Sequence, residues 1–393
     1  MNKSKIVFGI LILFTLFLFS ACADNCAEET ESAPETQIEN TEGEETEMQI
    51  EKEKEITIYH QYADESVTNL LTNYWNSGAK IFYDAYPQKK SGAFNYWWYA
   101  HAIDVIADAY IRTQNSEYLT YIDETIDSII ARNKKITNDY YDDMEWMALA
   151  ILRLYDDTKN EQYLNYVQIL WRDIQKGWND NMGGGIAWRK EQLDYKNTPA
   201  NAPAAILAAR IYKVTNDEAD LEWAKKIYTF QKDNLVDNTT GQVWDGINRE
   251  GNGKTDKNWN FTYCHGVYIG AGVELYNITG DEVYLNDAVK TADYAVGKFI
   301  DKNGVFTAEG DGDGGLFKGI LIRYLGELYK ASPDLTYIKD AINKNIEILR
   351  NNGTNNIGNF TKDFNKAPEN DTGSDLSTQL SGCMLFEIGA AIN

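Results

Sequence analysis

"DDMEWMALAILRLYDDTKNEQYLNY", residues 142–166, contains the pattern that decides the fold. Residues 142–157 are apolar on most faces, which is typical of a helix buried in a protein core. A polar turn begins at Thr158, and an amphipathic segment follows from residue 161. The stretch therefore predicts a buried inner helix that a short turn joins to a surface helix.

The same unit recurs along the chain. Similar turns occur at "TQNSEYLTY" (113–121), "TKNEQYLNY" (158–166), "TNDEADLEW" (215–223), "TGDEVYLND" (279–287) and "SPDLTYIKD" (332–340). Buried helices are predicted at 97–112, 142–157, 202–214, 262–278, 315–331 and 377–392. Amphipathic helices are predicted at about 64–78, 117–132, 161–176, 220–235, 284–300 and 336–350. Six inner helices that alternate with six outer ones predict an all-α fold, an (α/α)6 barrel.

The alternative architecture is an open helical solenoid. Against it, the connecting loops are long and unequal, and the inner helices are uniformly apolar. The long loops precede inner helices and are rich in Gly, Trp and Asp, at 178–201, 239–261 and 302–315. We expect function at that face, because long loops within a compact domain usually carry it. No segment shows a convincing strand pattern.

The N-terminus resembles an export signal. Lys3 and Lys5 precede an apolar run over residues 6–19, which is too short to span a bilayer comfortably. Cys22 follows two small residues, as in the lipobox of bacterial lipoproteins. Residues 1–22 are thus predicted to be a lipoprotein signal peptide with Cys22 as the lipidated residue, and the protein an exported, membrane-anchored lipoprotein. The alternative is an ordinary signal peptide that is cut nearby.

Residues 23–55 are predicted to be a disordered acidic tether, since they are polar and free of aromatic residues. The tether holds 13 acidic and 2 basic residues, which leaves 47 acidic and 33 basic residues in a predicted catalytic domain at 56–393. That domain has a net charge of −14. An acidic domain without a Lys/Arg cluster argues against nucleic acid as a partner. We expect a monomer with no cofactor.

The side-by-side pair Asp142 and Asp143 lies at the first turn of a buried helix, where free N–H groups and the helix dipole favour negative charge. Helix capping accounts for one aspartate but not readily for two. Hydrolysis of a glycosidic bond needs one protonated carboxyl group and one ionised carboxylate. The pair is a candidate for this chemistry, and composition agrees, since 26 Tyr and 10 Trp suit sugar binding.

Six segments carry a family resemblance, in order along the chain. They are "YWWYAHAIDV" (96–105), "YYDDMEWMALA" (140–150), "GGGIAWR" (183–189), "NTPANAPAAILAARIY" (197–212), "VWDGI" (243–247) and "GDGDGGLFKGILIRYL" (310–325). Together they resemble glycoside hydrolase family 76, the endo-α-1,6-mannanases. The resemblance implies an (α/α)6 barrel that cleaves α-1,6-linked mannan with retention. It also implies Asp142 as the nucleophile and Asp143 as the acid/base, an assignment that the physics of the pair alone leaves open.

One stretch departs from the family. Tyr263, Cys264 and His265 stand where its members usually have Tyr-Asn-Gln, which bears on a sugar contact and on specificity. The predicted substrate-binding residues come from the loops and from the beginnings of the inner helices. They are Trp98, His101, Asp104, Tyr141, Trp146, Trp188, Asn201, Asp245, Tyr263, Asp311, Asp313 and Lys318.

No metal site is predicted. Asp311 and Asp313 could suggest a calcium loop, but they lack EF-hand spacing and lead directly into a helix. Lys318 and Arg323 are expected to neutralise this acidic rim. Three alternative functions remain at this level: an unsaturated glucuronyl hydrolase, a sugar epimerase with paired histidines, and a surface glycan-binding lipoprotein that has lost activity.

Overall fold

The computed structural model describes residues 39–87, 94–369 and 373–393. The chain divides into two compact units, residues 1–50 and 51–393. Of the first unit, the structure describes only the helical backbone of residues 39–50, and the remaining elements belong to the second. The predicted signal peptide and Cys22 lie outside the described residues. Within the described part, no helix is both long enough and apolar enough to span a bilayer.

The inner helices form a closed ring in the described part of the chain. They are α2 (Tyr96–Thr113), α4 (Tyr141–Thr158), α6 (Ala202–Thr215), α8 (Thr262–Thr279), α10 (Gly314–Ala331) and α12 (Leu376–Ile392). Each packs against the next, and α12 packs against α2. This closure confirms the predicted (α/α)6 barrel and rules out the open solenoid.

The outer helices, the first from residue 51 onward and the five that follow, surround that ring. They are α1 (Glu39–Tyr74), α3 (Glu117–Asn133), α5 (Glu161–Ile174), α7 (Glu218–Leu235), α9 (Glu282–Phe299) and α11 (Thr336–Asn351). The first differs from its predicted range of 64–78. It ends earlier, because Trp75 begins a strand, and it begins earlier, within the segment predicted to be a disordered tether. Glu and Lys are strong helix formers, which explains helical backbone in this acidic stretch.

Four of the recurring turns, those from Thr113, Thr158, Thr215 and Thr279, connect an inner helix to its outer partner by the same kinds of hydrogen bond. In the second unit of the repeat, Thr158 Oγ1 donates to the carbonyl of Leu154, 2.7 Å away. Lys159 then adopts a left-handed conformation and closes the helix. The Asn160 side chain accepts from the Gln162 N–H and caps the next helix. Asp217 and Asp281 cap α7 and α9 in the same way.

Small residues allow the last inner helices to approach closely. A Cβ atom at Gly266 of α8 would lie 2.7 Å from the Leu321 Cα atom of α10. At Gly319 of α10 it would lie 2.7 Å from the Ser381 Cα atom of α12. Larger side chains at these two glycines would force the helices apart, which accounts for the Gly-rich character of the buried segments.

Short antiparallel strands occur in the loops, contrary to the expectation of no strands. They are β1 (Trp75–Asn76), β2 (Ile81–Phe82), β3 (Ala85–Tyr86), β4 (Ala187–Arg189), β5 (Gln192–Asn197), β6 (Gly246–Ile247) and β7 (Ser374–Asp375). In the described residues, β1 pairs with β2, β3 pairs with β7, and β4, β5 and β6 form a three-stranded sheet. This last sheet joins two of the long loops and holds them beside the N-terminal ends of α4 and α6.

Candidate active site

The inner helices begin around a cleft with a volume of about 480 Å³. Its walls come from the first turns of α2, α4, α8 and α10 and from the loops that precede inner helices. The lining residues are Phe94, Asn95, Tyr96, Trp97, Tyr140, Asp142, Asp143, Trp146, Trp188, Tyr195, Asn197, Pro199, Asp245, Arg249, Trp259, Phe261, Tyr263, Asp313 and Phe317. The functional face predicted from the loops is therefore the face that carries the cleft.

The two consecutive aspartates both line the cleft, at the first turn of α4. Each oxygen of the Asp142 carboxylate accepts one hydrogen bond. The indole N–H of Trp188 donates to Oδ2 at 3.1 Å, and the backbone N–H of Asp143 donates to Oδ1 at 3.0 Å. The Asp143 carboxyl has a different partner, the side-chain amide of Asn138. The pair is thus held in two distinct environments.

The environments separate the proton affinities of the two carboxyl groups. Burial raises the pKa of Asp142 to about 7, although the Asp143 N–H and the Trp188 indole act to lower it. The pKa of Asp143 is raised well above its usual range, first by burial and then by the negative charges of Asp142 and Asp313. The hydrogen bonds to Asp142 thus favour its ionised form, whereas the neighbouring negative charges favour the protonated form of Asp143.

Aromatic rings flank the pair. Trp188 lies on β4 and packs edge-on against Tyr140, with the ring centres 5.2 Å apart. Trp146, one turn along α4 from the pair, lies against the His101 ring at 4.8 Å. Trp259 is 45% exposed on the loop before α8. Aromatic faces beside carboxyl groups suit a ligand with an apolar face and polar groups at its edge.

A third carboxylate, Asp245, lies on the loop before β6 and accepts hydrogen bonds from two tyrosines. The Tyr195 hydroxyl donates to Oδ2 at 2.8 Å, and the Tyr263 hydroxyl donates to Oδ1 at 2.5 Å. Arg249 forms an ion pair with the same group and stacks on Trp259 at 3.9 Å. Arg249 therefore balances the charge of Asp245, and the two tyrosines fix the carboxylate as an acceptor in the cleft wall.

Residues 59–388 match the sequence profile of a family described as Glycosyl hydrolase family 76. The match includes the whole barrel from the second half of α1 to α12. The chain belongs to glycosyl hydrolase family 76. This confirms the resemblance inferred from the six segments.

Solved family 76 structures are similar to the chain. The α-1,6-mannanase of Salegentibacter sp. HEL1_6 is 39% identical, with a TM-score of 0.81, over 85% of this chain and 100% of that one. An inactive variant of that enzyme, with two consecutive aspartates replaced, was solved with α-1,6-mannotetrose. A protein from Listeria innocua is 38% identical, with a TM-score of 0.80, over 85% of this chain and 97% of that one.

Curated relatives are more distant. A putative mannan endo-1,6-α-mannosidase of Schizosaccharomyces pombe is 26% identical over 69% of this chain and 66% of its own length. A mannan endo-1,6-α-mannosidase of Candida albicans is 31% identical over 49% of this chain and 48% of its own length. The chain thus spans about half to two thirds of the length of these relatives.

Seven of the predicted site residues of this family 76 protein meet in the cleft. They are Asp142, Asp143, Trp146, Trp188, Asp245, Tyr263 and Asp313. They come from α4, from the start of α8 and from three separate loops. Residues more than 100 positions apart in sequence are thereby brought to one surface, as the barrel prediction requires.

Other predicted substrate-binding residues lie behind the cleft wall. Trp98 is buried and donates its indole N–H to Asp313 at 3.0 Å. His101 is buried beneath Trp146, and burial lowers the pKa of its imidazole to about 3, so the ring is neutral. Tyr141 is buried and does not line the cleft, because it points away from the Asp pair toward the loop at Gly177.

Two predicted polar residues form internal contacts instead of lining the cleft. Asp104 forms ion pairs with Arg153 and Arg323 inside the barrel, because it lies two turns below the helix start. Arg323, which was expected to neutralise the rim, is therefore engaged in the interior. Asn201 is fully buried, and its amide exchanges hydrogen bonds of 2.8 and 2.9 Å with the backbone of Ile186. It fixes the loop that carries β4.

The remaining two predicted residues also lie outside the cleft. The Asp311 side chain is 75% exposed and pairs with Lys362 on the outer surface. Lys318 is buried on α10, where its ammonium group donates to backbone carbonyls, including that of Lys362, and lies 4.0 Å from the ring centre of Phe364. No group of three or more His, Cys, Asp or Glu residues suited to a metal ion occurs among the described residues.

Two of the three residues that depart from the family pattern at 263–265 lie behind the cleft wall. His265 is buried, accepts the Val243 N–H at Nε2 and contacts the Phe261 carbonyl through Nδ1. This arrangement places the imidazole proton on Nδ1. Cys264 is also buried, with its thiol 3.8 Å from an oxygen of Asp245. Only Tyr263 of the three lines the cleft, so the departure acts on the Asp245 environment and on the fit of the loop.

Several lining residues were not predicted. They include Tyr96, Trp97, Tyr195, Arg249, Trp259 and Phe317. Trp97 and Trp259 carried a usable signal, because each is a tryptophan in or beside a loop at the functional face. Tyr195 and Arg249 did not, since their direction depends on how β4, β5 and β6 pair.

Proposed function

We propose that the protein is an endo-acting α-1,6-mannanase that cleaves mannan backbones with retention of configuration. One observation carries the proposal: Asp142 and Asp143 lie together in an aromatic cleft, and their environments separate their proton affinities. The family and the names of the most similar relatives support the substrate class. The inactive Salegentibacter variant supports the role of the pair, because two consecutive aspartates were replaced in it.

In the proposed first step, the Asp142 carboxylate attacks C1 of a mannosyl unit. Asp143 gives its proton to the glycosidic oxygen, the C1–O bond breaks, and the shortened chain leaves with a new 6-hydroxyl group. In the second step, Asp143 takes a proton from a water molecule that attacks C1. The ester bond to Asp142 breaks, and the product has the α configuration. The two inversions at C1 give net retention.

We further propose that the cleft side chains hold the chain of sugars on both sides of the scissile bond. Trp146 and Trp188 would supply stacking surfaces next to the pair, and Asp245 with Tyr263 would accept or donate hydrogen bonds to hydroxyl groups. A neutral polymer needs such contacts rather than a basic cleft. The rival glucuronyl hydrolase needs cations for its substrate, and Arg249, the arginine that lines this cleft, is paired with Asp245.

The test is digestion of unbranched α-1,6-mannan by the full chain, with products sized by chromatography. The matched variants are Asp142→Asn and Asp143→Asn, which keep side-chain volume. The proposal expects a ladder of oligosaccharides from the parent and about 10²–10⁴-fold slower cleavage in each variant. An α-1,2- or α-1,3-linked mannan serves as the control substrate and should remain intact.

The same experiment decides the rival reading as a glycan-binding lipoprotein. If the parent retains mannan in a pull-down but produces no fragments, the binding function is correct and the mannanase proposal is wrong. If cleavage persists in both asparagine variants, the Asp pair is not the catalytic machinery.

We also propose that the domain is lipid-anchored through Cys22 outside the cytoplasm, as a monomer. The support is the basic start, the short apolar run and the position of Cys22. Radiolabelled palmitate should enter the full chain and should not enter a Cys22→Ser variant. Label in the variant, or none in the parent, would contradict the anchor. Light scattering of the detergent-solubilised protein tests the monomer.

A further inference from the structure

Asp313, the residue immediately before α10, carries two indole N–H groups on one oxygen. Trp97 Nε1 donates to Oδ1 at 3.2 Å, and Trp98 Nε1 donates to the same atom at 3.0 Å. The two tryptophans are consecutive residues in the first turn of α2. Asp313 is exposed to solvent and also lines the cleft, so a carboxylate that accepts two hydrogen bonds from α2 faces the space in which the proposed reaction occurs.

The charge of Asp313 acts on Asp143. After burial and the neighbouring Asp142, Asp313 is the next cause that raises the pKa of the Asp143 carboxyl. The other groups that face Asp143 are Tyr96 from α2, whose own pKa is raised first by burial and then by Asp143, and the neutral amide of Asn138 from the preceding loop. The described groups that bear on Asp143 thus include two carboxylates and no cation.

We propose that Asp313 is a positioning residue for proton transfer, whose fixed negative charge holds the proton on Asp143 until the glycosidic oxygen takes it. The inference rests on the proposed function and extends it. The two indole N–H groups fix the place of the Asp313 carboxylate through hydrogen bonds to one of its oxygens. No contact between Asp313 and the substrate is required.

This arrangement affects the two chemical steps differently. Before the first step, both Asp142 and Asp313 are negative and favour a protonated Asp143. After Asp142 has formed its ester with C1, its charge is gone, and Asp313 remains as the negative neighbour. Asp143 must then take a proton from water, and the remaining charge keeps it basic enough to do so. Asp313 therefore supports the base step after the contribution of Asp142 has ended.

The test compares the pH dependence of kcat/KM on an α-1,6-linked mannooligosaccharide for the parent and Asp313→Asn. Asparagine keeps a carbonyl oxygen for the indole N–H groups and removes the charge. The alkaline limb, which reports the protonated acid in the free enzyme, should move to lower pH by about one unit. At a pH above the alkaline limbs of both proteins, kcat/KM of the variant should be about tenfold lower than that of the parent.

Three further variants separate charge from shape. Asp313→Glu keeps the charge, and its limb should stay close to that of the parent. Trp98→Phe removes one donor but leaves the charge, so its limb should not move to lower pH by the same amount. Asp311→Asn is the matched control, since Asp311 lies on the same loop, exposed and outside the cleft. Its limb should coincide with that of the parent.

A limb that stays in place in Asp313→Asn, with a higher KM alone, would overturn the inference and make Asp313 a sugar contact. Titration of the Asp143 carboxyl carbon by ¹³C NMR gives the same comparison without catalysis. A lower apparent pKa in Asp313→Asn supports the inference even if the parent fails to cleave mannan, which would be a failure of the proposed function alone. An unchanged value overturns it in every case.

Discussion

The two ends of the barrel use the same kinds of charged residue in opposite ways. At the C-terminal ends of the inner helices, carboxylates are paired with cations. Asp108 on α2 contacts Arg323 at 2.6 Å and also Arg153, and these arginines lower the pKa of its carboxyl despite burial, which acts to raise it. At the N-terminal ends, Asp142 and Asp143 lack such partners, and burial raises both pKa values.

Every inner helix contributes a charged residue to the ion pairs at the C-terminal end of the barrel. Arg112 forms a two-point ion pair with Glu387, with both distances 2.9 Å, and Glu274 contacts Arg210 and Lys213 at 2.5 Å. The helix dipole favours anions near helix N-termini and cations near C-termini, so it suits the Asp pair and the arginines. It does not suit the carboxylates of Asp108, Glu274 and Glu387, which the neighbouring cations stabilise instead. The difference lies in whether the opposite charge is supplied. Ion pairs fix the carboxylates at the C-terminal end of the barrel, whereas the absence of such a partner at Asp142 and Asp143 leaves these two carboxyl groups able to exchange protons.

Removal of a cation from the ion pairs at the C-terminal ends of the inner helices should give the largest loss of stability. Arg323→Met leaves Asp104 and Asp108 short of a partner in the interior, which should cost about 3–5 kcal/mol in the free energy of unfolding. Urea denaturation measures the loss. Lys330→Met on the same helix breaks an exposed pair with Glu327 and is the control, with an expected change of about 0.5 kcal/mol or less. Equal stability of Arg323→Met and the parent would refute the role of pairing.

Removal of the charge of Asp142, at the N-terminal end of the barrel, should instead increase the free energy of unfolding. The folded state raises the pKa of Asp142 from its usual value to about 7, so the folded protein binds a proton that the unfolded chain has already released. Stability therefore falls as pH rises from about 4 to about 7. Asp142→Asn should be more stable than the parent by about 1–3 kcal/mol near pH 8, with a smaller gain near pH 5.

Thermal unfolding of Asp142→Asn at both pH values tests the sign. The exposed Asp311→Asn is again the control and should show no pH-dependent gain. If the variant is less stable than the parent near pH 8, the ionised carboxylate of Asp142 does not destabilise the folded state. The contrast between the two ends of the barrel would then be wrong.

The smallest expected effect concerns a single hydrogen bond at the N-terminal end of the barrel. Trp188→Phe removes the indole N–H that donates to Asp142, so the pKa of the Asp142 carboxyl should rise further. The acidic limb of kcat/KM should move up by about half a pH unit. Trp178→Phe, on the same loop but outside the cleft, should leave the limb unchanged. A limb that moves down in Trp188→Phe would contradict this assignment of the donor.

The sequence predicted the helices well because their signals are local. The inner segments are apolar all round, and the turns from Thr158 and Thr279 repeat one capping pattern, so the predicted boundaries lie within a few residues of the observed ones. The strands were missed because they are short: β4 has three residues and pairs with the neighbouring β5, and the sheet is completed by β6 from a different loop. The first outer helix was misplaced because its acidic first half lacks an apolar face.

The site was predicted only in part for a related reason. Asp142 and Asp143 are recognisable from their type and place on one helix, and Trp146 and Trp188 are recognisable as aromatics at the functional face. Whether a residue such as Asn201 faces the cleft or the backbone behind it depends on loop geometry, which the sequence does not reveal. Asp104 shows the same limit along a helix, because two turns separate the N-terminal end of the barrel from the paired interior.

The most direct test of the account is the anomeric configuration of the first product. Unbranched α-1,6-mannan is digested by the full chain, and ¹H NMR follows the new reducing ends before mutarotation. The account predicts that the α signal appears first in the parent and that no signal appears with Asp142→Asn. A β signal that appears first would mean direct attack by water, and the proposed roles of Asp142 and Asp143 would be wrong.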